Sequence, residues 1–204
     1  MATIKNIIFD LGGVLLNIDY NKTFAAFRKL GVSNIEEMYG QHHANELFKK
    51  LETGRIEEEY FFDAIRKYIP GTVSNDQIEA AWNAMILNFR TESLSELEKL
   101  AKDHKVYLLS NTNSIHLRCF KKIFTRETGK PLLDAYFSKS WYSNQIGLRK
   151  PDKEAYEFVL NEENLNPAET FFIDDTKENI DTAVNMGINS HLLLPHEKIE
   201  DLQF

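Results

Sequence analysis

Ile7-Ile8-Phe9-Asp10-Leu11-Gly12-Gly13-Val14 puts one carboxylate, Asp10, at the end of an apolar run and just ahead of a glycine pair. A short, β-branched apolar run closed by glycines predicts a buried strand over residues 4–10. In an α/β sheet, reactive groups stand at the carboxyl edge of such strands, which makes Asp10 the first candidate for chemistry.

From Asn21 to Phe89 no comparable strand is expected. Asn21 can cap a helix that Gly31 ends, and residues 44–51 and 56–68 carry helical apolar spacing before Pro70-Gly71. Ser74 followed by Gln77 reads as a capping box opening a helix to about residue 87. The segment is therefore a helical insertion. Beyond it, helix and strand alternate: helices over 91–103, 114–126, 151–163 and 177–186, with strands over 105–109, within 136–142, over 170–173 and over 190–194. Such alternation predicts a mostly parallel sheet with helices on both faces.

The chain has 204 residues, 43% of them apolar and 27% charged, ordinary for a globular protein with a full core. Lys and Arg total 24 against 31 Asp and Glu, a net charge of −7, which disfavours a broad nucleic-acid or anionic-membrane surface. It leaves room for a small phosphorylated metabolite in a local positive pocket. The single cysteine, Cys119, rules out an intramolecular disulfide and suits a cytoplasmic setting. No apolar run of about 18 residues is present, so no membrane-spanning helix is expected. Nothing in the sequence sets the oligomeric state.

Three predicted strand ends carry polar groups: Asp10, then Ser110-Asn111, then Asp174-Asp175. A fourth loop, Gly147-Leu148-Arg149-Lys150-Pro151, supplies a cation just before a helix. Loops at the carboxyl ends of neighbouring parallel strands share one crevice. Carboxylates from two strands make a hard oxygen site suited to Mg²⁺, while a lysine and a hydroxyl suit the peripheral oxygens of a phosphoryl group.

This set resembles the haloacid dehalogenase superfamily of hydrolases over nearly the whole chain. The matching motifs are Phe9-Asp10-Leu11-Gly12-Gly13-Val14, Leu109-Ser110-Asn111, Lys150-Pro151, and Asp174-Asp175 with Asn179. The resemblance implies a Rossmann-like α/β core over residues 1–16 and 90–204, with an inserted α-helical cap over 17–89. It further implies that Asp10 is a nucleophile forming an aspartyl-phosphate. Ser110 and the Asn111 backbone would hold phosphoryl oxygens and Lys150 would neutralise developing charge. Mg²⁺ would bind Asp10, the Gly12 carbonyl and Asp175, with Asp174 acting through water.

Family phosphatases carry a second Asp where Gly12 stands, a general acid–base whose loss typically costs about 10²–10⁴ in rate. Glycine keeps the backbone carbonyl but not the proton donor, so leaving groups of low basicity are expected to be favoured. The motifs Asp10-Leu11-Gly12, Ser110-Asn111-Thr112-Asn113 with His116, and Gly147 to Pro151 also resemble bacterial glucose 1-phosphate phosphatases of this superfamily. An anomeric sugar phosphate fits that expectation.

Other polar residues carry two readings each. Asp19, Tyr20, Glu46 and Arg55 face substrate from the cap or lie on the plain surface. Arg55, beside Gly54, is the most attractive of them. His42-His43, His116 and Cys119 lack zinc spacing, and Cys119 falls on an apolar helix face. The expected function is a Mg²⁺-dependent phosphatase of a small phosphorylated metabolite. The alternatives are a catalytically silent binding protein, a phosphomutase, which lacks its proton shuttle at Gly12, and a 2-haloacid dehalogenase, which has no use for Asp174-Asp175.

Overall fold

The structure, a computed structural model, describes residues 3–40 and 44–203. The chain opens with β1 (Asn6–Phe9), β2 (Leu16–Ile18) and α1 (Tyr20–Lys29). Short α2 (Ile35–Met38), α3 (Glu46–Glu52), α4 (Glu58–Arg66) and α5 (Asn75–Asn83) lead to β3 (Ile86–Phe89). There follow α6 (Thr91–Leu100), β4 (Lys105–Ser110), α7 (Ser114–Thr128), β5 (Lys139–Tyr142) and α8 (Ser143–Ile146). The chain closes through α9 (Lys153–Glu162), β6 (Thr170–Asp174), α10 (Lys177–Asn185) and β7 (Asn189–Leu192).

Five strands form one sheet in the order β5-β4-β1-β6-β7, and every pair is parallel. The alternation of side chains along each strand splits them between two cores. Ile7, Phe9, Val106, Leu108 and Ile173 face a core shared with Leu94 and Leu97 of α6 and Phe120 and Phe124 of α7. Ile8, Tyr107, Leu109 and Phe172 face the other, against Tyr156 and Val159 of α9 and Ile180 and Ala183 of α10. The sheet is thus buried on both faces, as parallel sheets require. The strand order reverses direction at β1, so the crevice of the fold opens at the β1 carboxyl end.

Two short strands were not expected from the sequence. β2 and β3 pair antiparallel, with Leu16 opposite Phe89 and Ile18 opposite Ile86. They form a two-stranded ribbon through which the chain enters and leaves the helical insertion. Helical periodicity over residues 74–87 hid β3: α5 stops at Asn83, because Met85 to Phe89 find strand partners only once the ends of the insertion meet. The Ser74–Gln77 capping box forms as expected. At α1, however, the capping side chain is Asp19, which accepts from the Asn21 backbone N–H, rather than Asn21 itself.

The insertion is held by aromatic packing. Trp82, fully buried, lies 4.7 Å from Tyr39, 5.1 Å from Phe48 and 5.5 Å from Phe61, ring centre to ring centre. It also stacks at 4.5 Å on His116, which belongs to α7 of the sheet domain, so one side chain joins both halves. Arg118 adds a bidentate bridge from α7 to Glu58, with Glu79 at 3.0 Å. That bridge is two-fifths exposed on the arginine side and adds little stability.

Two stability measurements test this packing. Trp82→Ala should cost about 3–5 kcal/mol in urea unfolding, because the cavity it leaves borders both halves. Gly13 adopts φ +71, and a Cβ there would run into the Asp175 carboxylate. Gly129 has nearly the same φ, +69, with open space around it. Both alanine variants bear roughly 1–2 kcal/mol for left-handed backbone. Gly13→Ala should lose at least about 1 kcal/mol more than Gly129→Ala, the lower end of an overpacking cost. Equal losses would show that the Asp175 carboxylate gives way freely.

Candidate active site

Asp10 directly follows β1, and its backbone N–H donates to the Ile173 carbonyl at 2.9 Å. This fixes it beside the end of β6. Leu11 to Leu16 then turn tightly, with Leu15 and Leu16 N–H groups both donating to the Leu11 carbonyl. The turn brings Gly13 against Asp175, and only a residue without a side chain allows that approach.

Lys150 is 1% exposed, and its Nζ donates at 2.6 Å to Asp10 Oδ1 and at 2.6 Å to Asp174 Oδ2. Burial alone would lower its pKa, but the two carboxylates outweigh burial and hold it above the usual lysine range. Asn111 clamps the lysine from behind: its side chain donates to the Lys150 carbonyl at 2.7 Å and accepts from the Lys150 N–H at 2.9 Å. The Asn111 amide group thus positions Lys150, a role the sequence did not suggest. Ser110 ends β4 and lines the cavity, buried to 3% exposure.

Asp174 is fully buried and accepts from Lys150, from the Thr176 N–H at 2.8 Å and from Asn179 at 2.9 and 3.0 Å. It braces the site. Asp175 accepts from the Thr176 hydroxyl at 3.2 Å and lines the cavity. One ligand atom from each of Asp10, Asp174 and Asp175 falls within 4.8 Å of the others. Burial pushes the Asp10 carboxyl up to about 7; Lys150 opposes, and Asp174 and Asp175 add to the rise. Burial and Asp174 likewise raise Asp175 to about 6. Three carboxylates around one ammonium leave a negative excess of hard oxygens, a donor set that fits a divalent cation such as Mg²⁺.

The cavity above them has a volume of about 490 Å³, the size of a small-metabolite site. Cap residues Tyr20, Tyr39, Lys49 and Glu52 line it together with Arg149 from the sheet domain. Glu52, 5% exposed, accepts from the Tyr39 hydroxyl at 3.2 Å and from Arg149 Nε at 3.0 Å. Neither Glu52 nor Arg149 was a candidate from the sequence, since their pairing joins positions far apart in the chain. Asp19 caps α1 and Arg55 is exposed beyond α3; neither lines the cavity. His116 does line it, but burial lowers its pKa to about 3 and its Nε2 pairs with the Trp82 carbonyl at 3.2 Å. Cys119 packs against the core, and His42 and His43 lie outside the described residues.

At position 12 there is no carboxylate. A Cβ on Gly12 would collide with the Ile18 Cδ1 methyl, so Ile18 of β2 crowds the space where a larger residue would stand.

Residues 4–187 match the family model of haloacid dehalogenase-like hydrolases. The chain is 32% identical to a D-ribitol-5-phosphate phosphatase of Bacteroides thetaiotaomicron, over 92% of this chain and 90% of that one. A sesquiterpene phosphatase of Aspergillus oryzae is 28% identical over 92% of this chain and 88% of its own. Among solved structures, a HAD family enzyme of Bacteroides thetaiotaomicron in complex with magnesium and inorganic phosphate superposes with a TM-score of 0.89. The two share 36% identity, with 96% of each chain covered. The fold, the four motif loops and these likenesses agree: the chain belongs to the haloacid dehalogenase-like hydrolases.

Proposed function

We propose that this protein is a Mg²⁺-dependent phosphatase of a phosphorylated sugar or sugar alcohol, with Asp10 as nucleophile. The observation that carries this reading is the buried Lys150 bridge, which aims Asp10 into a metabolite-sized cavity beside two further carboxylates. Asp10, Asp175 and the Gly12 carbonyl would hold the cation, with Asp174 behind them. When bound, Mg²⁺ removes the repulsion between these carboxylates and a phosphate dianion and stabilises the charge that develops.

The Asp10 carboxylate attacks phosphorus, forming an Asp10–phosphoryl bond as the bond to the leaving oxygen breaks. Lys150 already donates to Asp10 and neutralises charge on the transferred group. Ser110 and the backbone N–H after it hold the peripheral oxygens. Water then attacks the phospho-enzyme, releasing phosphate and restoring Asp10. No side chain at residue 12 protonates the leaving oxygen, which takes its proton from water instead, and this favours leaving groups whose alkoxides are weakly basic.

The relatives support the class of reaction and widen the panel. D-ribitol 5-phosphate, which the Bacteroides relative hydrolyses, is a primary alkyl phosphate. Anomeric and alkyl phosphates therefore both belong in the test, and a silent binding protein is its negative outcome.

Phosphate release from a sugar-phosphate panel should require Mg²⁺, stop with EDTA, and fall at least about 10³-fold in Asp10→Asn, the scale of losing a nucleophile. Equal, negligible turnover by wild type and Asp10→Asn would end the enzyme reading. In the metal-free site Asp10 keeps its proton until about pH 7, and a cation must displace it. The rise in Tm on adding Mg²⁺ should therefore be larger at pH 8 than at pH 5.5; a smaller rise at pH 8 would contradict this ligand set.

The missing acid predicts faster turnover of glucose 1-phosphate than of glucose 6-phosphate. Gly12→Asp alone should recover part of this activity, because the end of the half-buried Ile18 side chain has to shift before the new side chain fits. Gly12→Asp with Ile18→Ala should gain about 10-fold or more on alkyl phosphates, the lower part of the general-acid range. Equal wild-type rates on the two glucose phosphates would refute the leaving-group argument.

A further inference from the structure

Glu52 and Arg149 form a built polar pair that the phosphoryl-transfer steps do not use. Glu52 ends α3 of the cap, whereas Arg149 sits next to Lys150 in the loop before α9. Arg149 and Asp10 line the same cavity. Arg149 spends Nε on Glu52, and its terminal nitrogens have no hydrogen-bond partner among the described residues. Among the described residues Glu52 accepts one bond on each oxygen, from Tyr39 and from Arg149, although an ionised carboxylate has about four acceptor positions. Both residues line the cavity, so the unused capacity is open to a ligand.

Tyr20 connects this pair to the phosphoryl end. Its ring packs 5.9 Å from Tyr39, and its phenol is pushed up by burial and by the charges of Asp175, Glu52 and Asp10. Tyr20, Tyr39, Glu52 and Arg149 line the same cavity as Asp10 and Asp175. The pair therefore borders the space into which a leaving alcohol would extend.

We propose that Glu52 and Arg149, with Tyr39 orienting Glu52, read hydroxyl groups on the leaving alcohol and select a polyhydroxylated carbon chain over an apolar one. Hydroxyls donate to Glu52 and accept from the Arg149 terminal nitrogens. An isoprenoid chain in the same space satisfies neither, and a site built for hydroxyls discriminates strongly against ligands lacking them. The proposal rests on the phosphatase reading and deepens it, because the two phosphatase relatives are named for substrates of opposite character, a pentitol phosphate and a sesquiterpene.

The test is kcat/KM with Mg²⁺ for glucose 1-phosphate, ribitol 5-phosphate, p-nitrophenyl phosphate and farnesyl phosphate. Its readout is the ratio of each polyhydroxylated substrate to p-nitrophenyl phosphate. Wild type should prefer at least one polyhydroxylated substrate to farnesyl phosphate. In Glu52→Gln and in Arg149→Met, that ratio should fall about 10–100-fold, mainly through KM, the scale of losing a hydrogen bond to a charged group. Tyr39→Phe, which removes only the orienting hydroxyl, should produce a smaller fall and serves if either charge variant fails to fold. A strut between cap and sheet domain would instead lower all four substrates together and leave the ratio unchanged. An unchanged ratio, or wild-type preference for farnesyl phosphate, overturns the proposal while the phosphatase reading stands. No phosphate release from any of the four ends both.

Discussion

A single buried ammonium, Lys150 Nζ, sits at 2.6 Å from both Asp10 and Asp174, and much of the site is arranged to keep it there. An uncompensated charge at that depth would be prohibitive, and removing one partner of a buried pair typically costs about 3–5 kcal/mol. Compensation comes from two strands, β1 and β6, so those strands must be neighbours. Asn111 from β4 fixes the lysine backbone and Asn179 from α10 fixes Asp174, and thereby four segments meet at one point. The sheet order puts β1 in the middle with β4 and β6 beside it, the arrangement this convergence needs.

The cap has a different physical basis. Its core is aromatic, centred on Trp82, and it continues through the stack on His116 into the sheet domain. His116 therefore serves packing, and burial keeps its imidazole neutral over the ordinary pH range. The insertion also lines the site, among others through Glu52 and through Ile18 of the β2–β3 ribbon. Ile18 matters because its terminal methyl group lies where a side chain at position 12 would begin.

Much of this was legible along the chain. The alternation of strand and helix, the helical insertion and the Ser74–Gln77 capping box all rest on local periodicity and local hydrogen bonding, which depend on near neighbours. Asp10, Ser110, Asp174 and Asp175 were marked by their place at strand ends and Lys150 by its loop before a helix, and the structure brings all five to one cavity or its floor. β2 and β3 were not legible, because each is too short to declare itself and is defined by its partner across the insertion. Asp19 and Arg55 were plausible by type alone; one has a backbone N–H to satisfy, and the other is exposed and does not line the cavity.

The sequence by itself determined the doubly wound sheet and the helical insertion between its first two strands, since burial pattern and turn chemistry are written at short range. Only the tertiary structure decided how the charges pair, what fills the space beside Gly12, and that Glu52 meets Arg149 at 3.0 Å. The reason is electrostatic and steric. A buried charge takes its partner from whichever element packs against it, and Glu52 and Arg149 meet only because the helical insertion packs against the sheet domain.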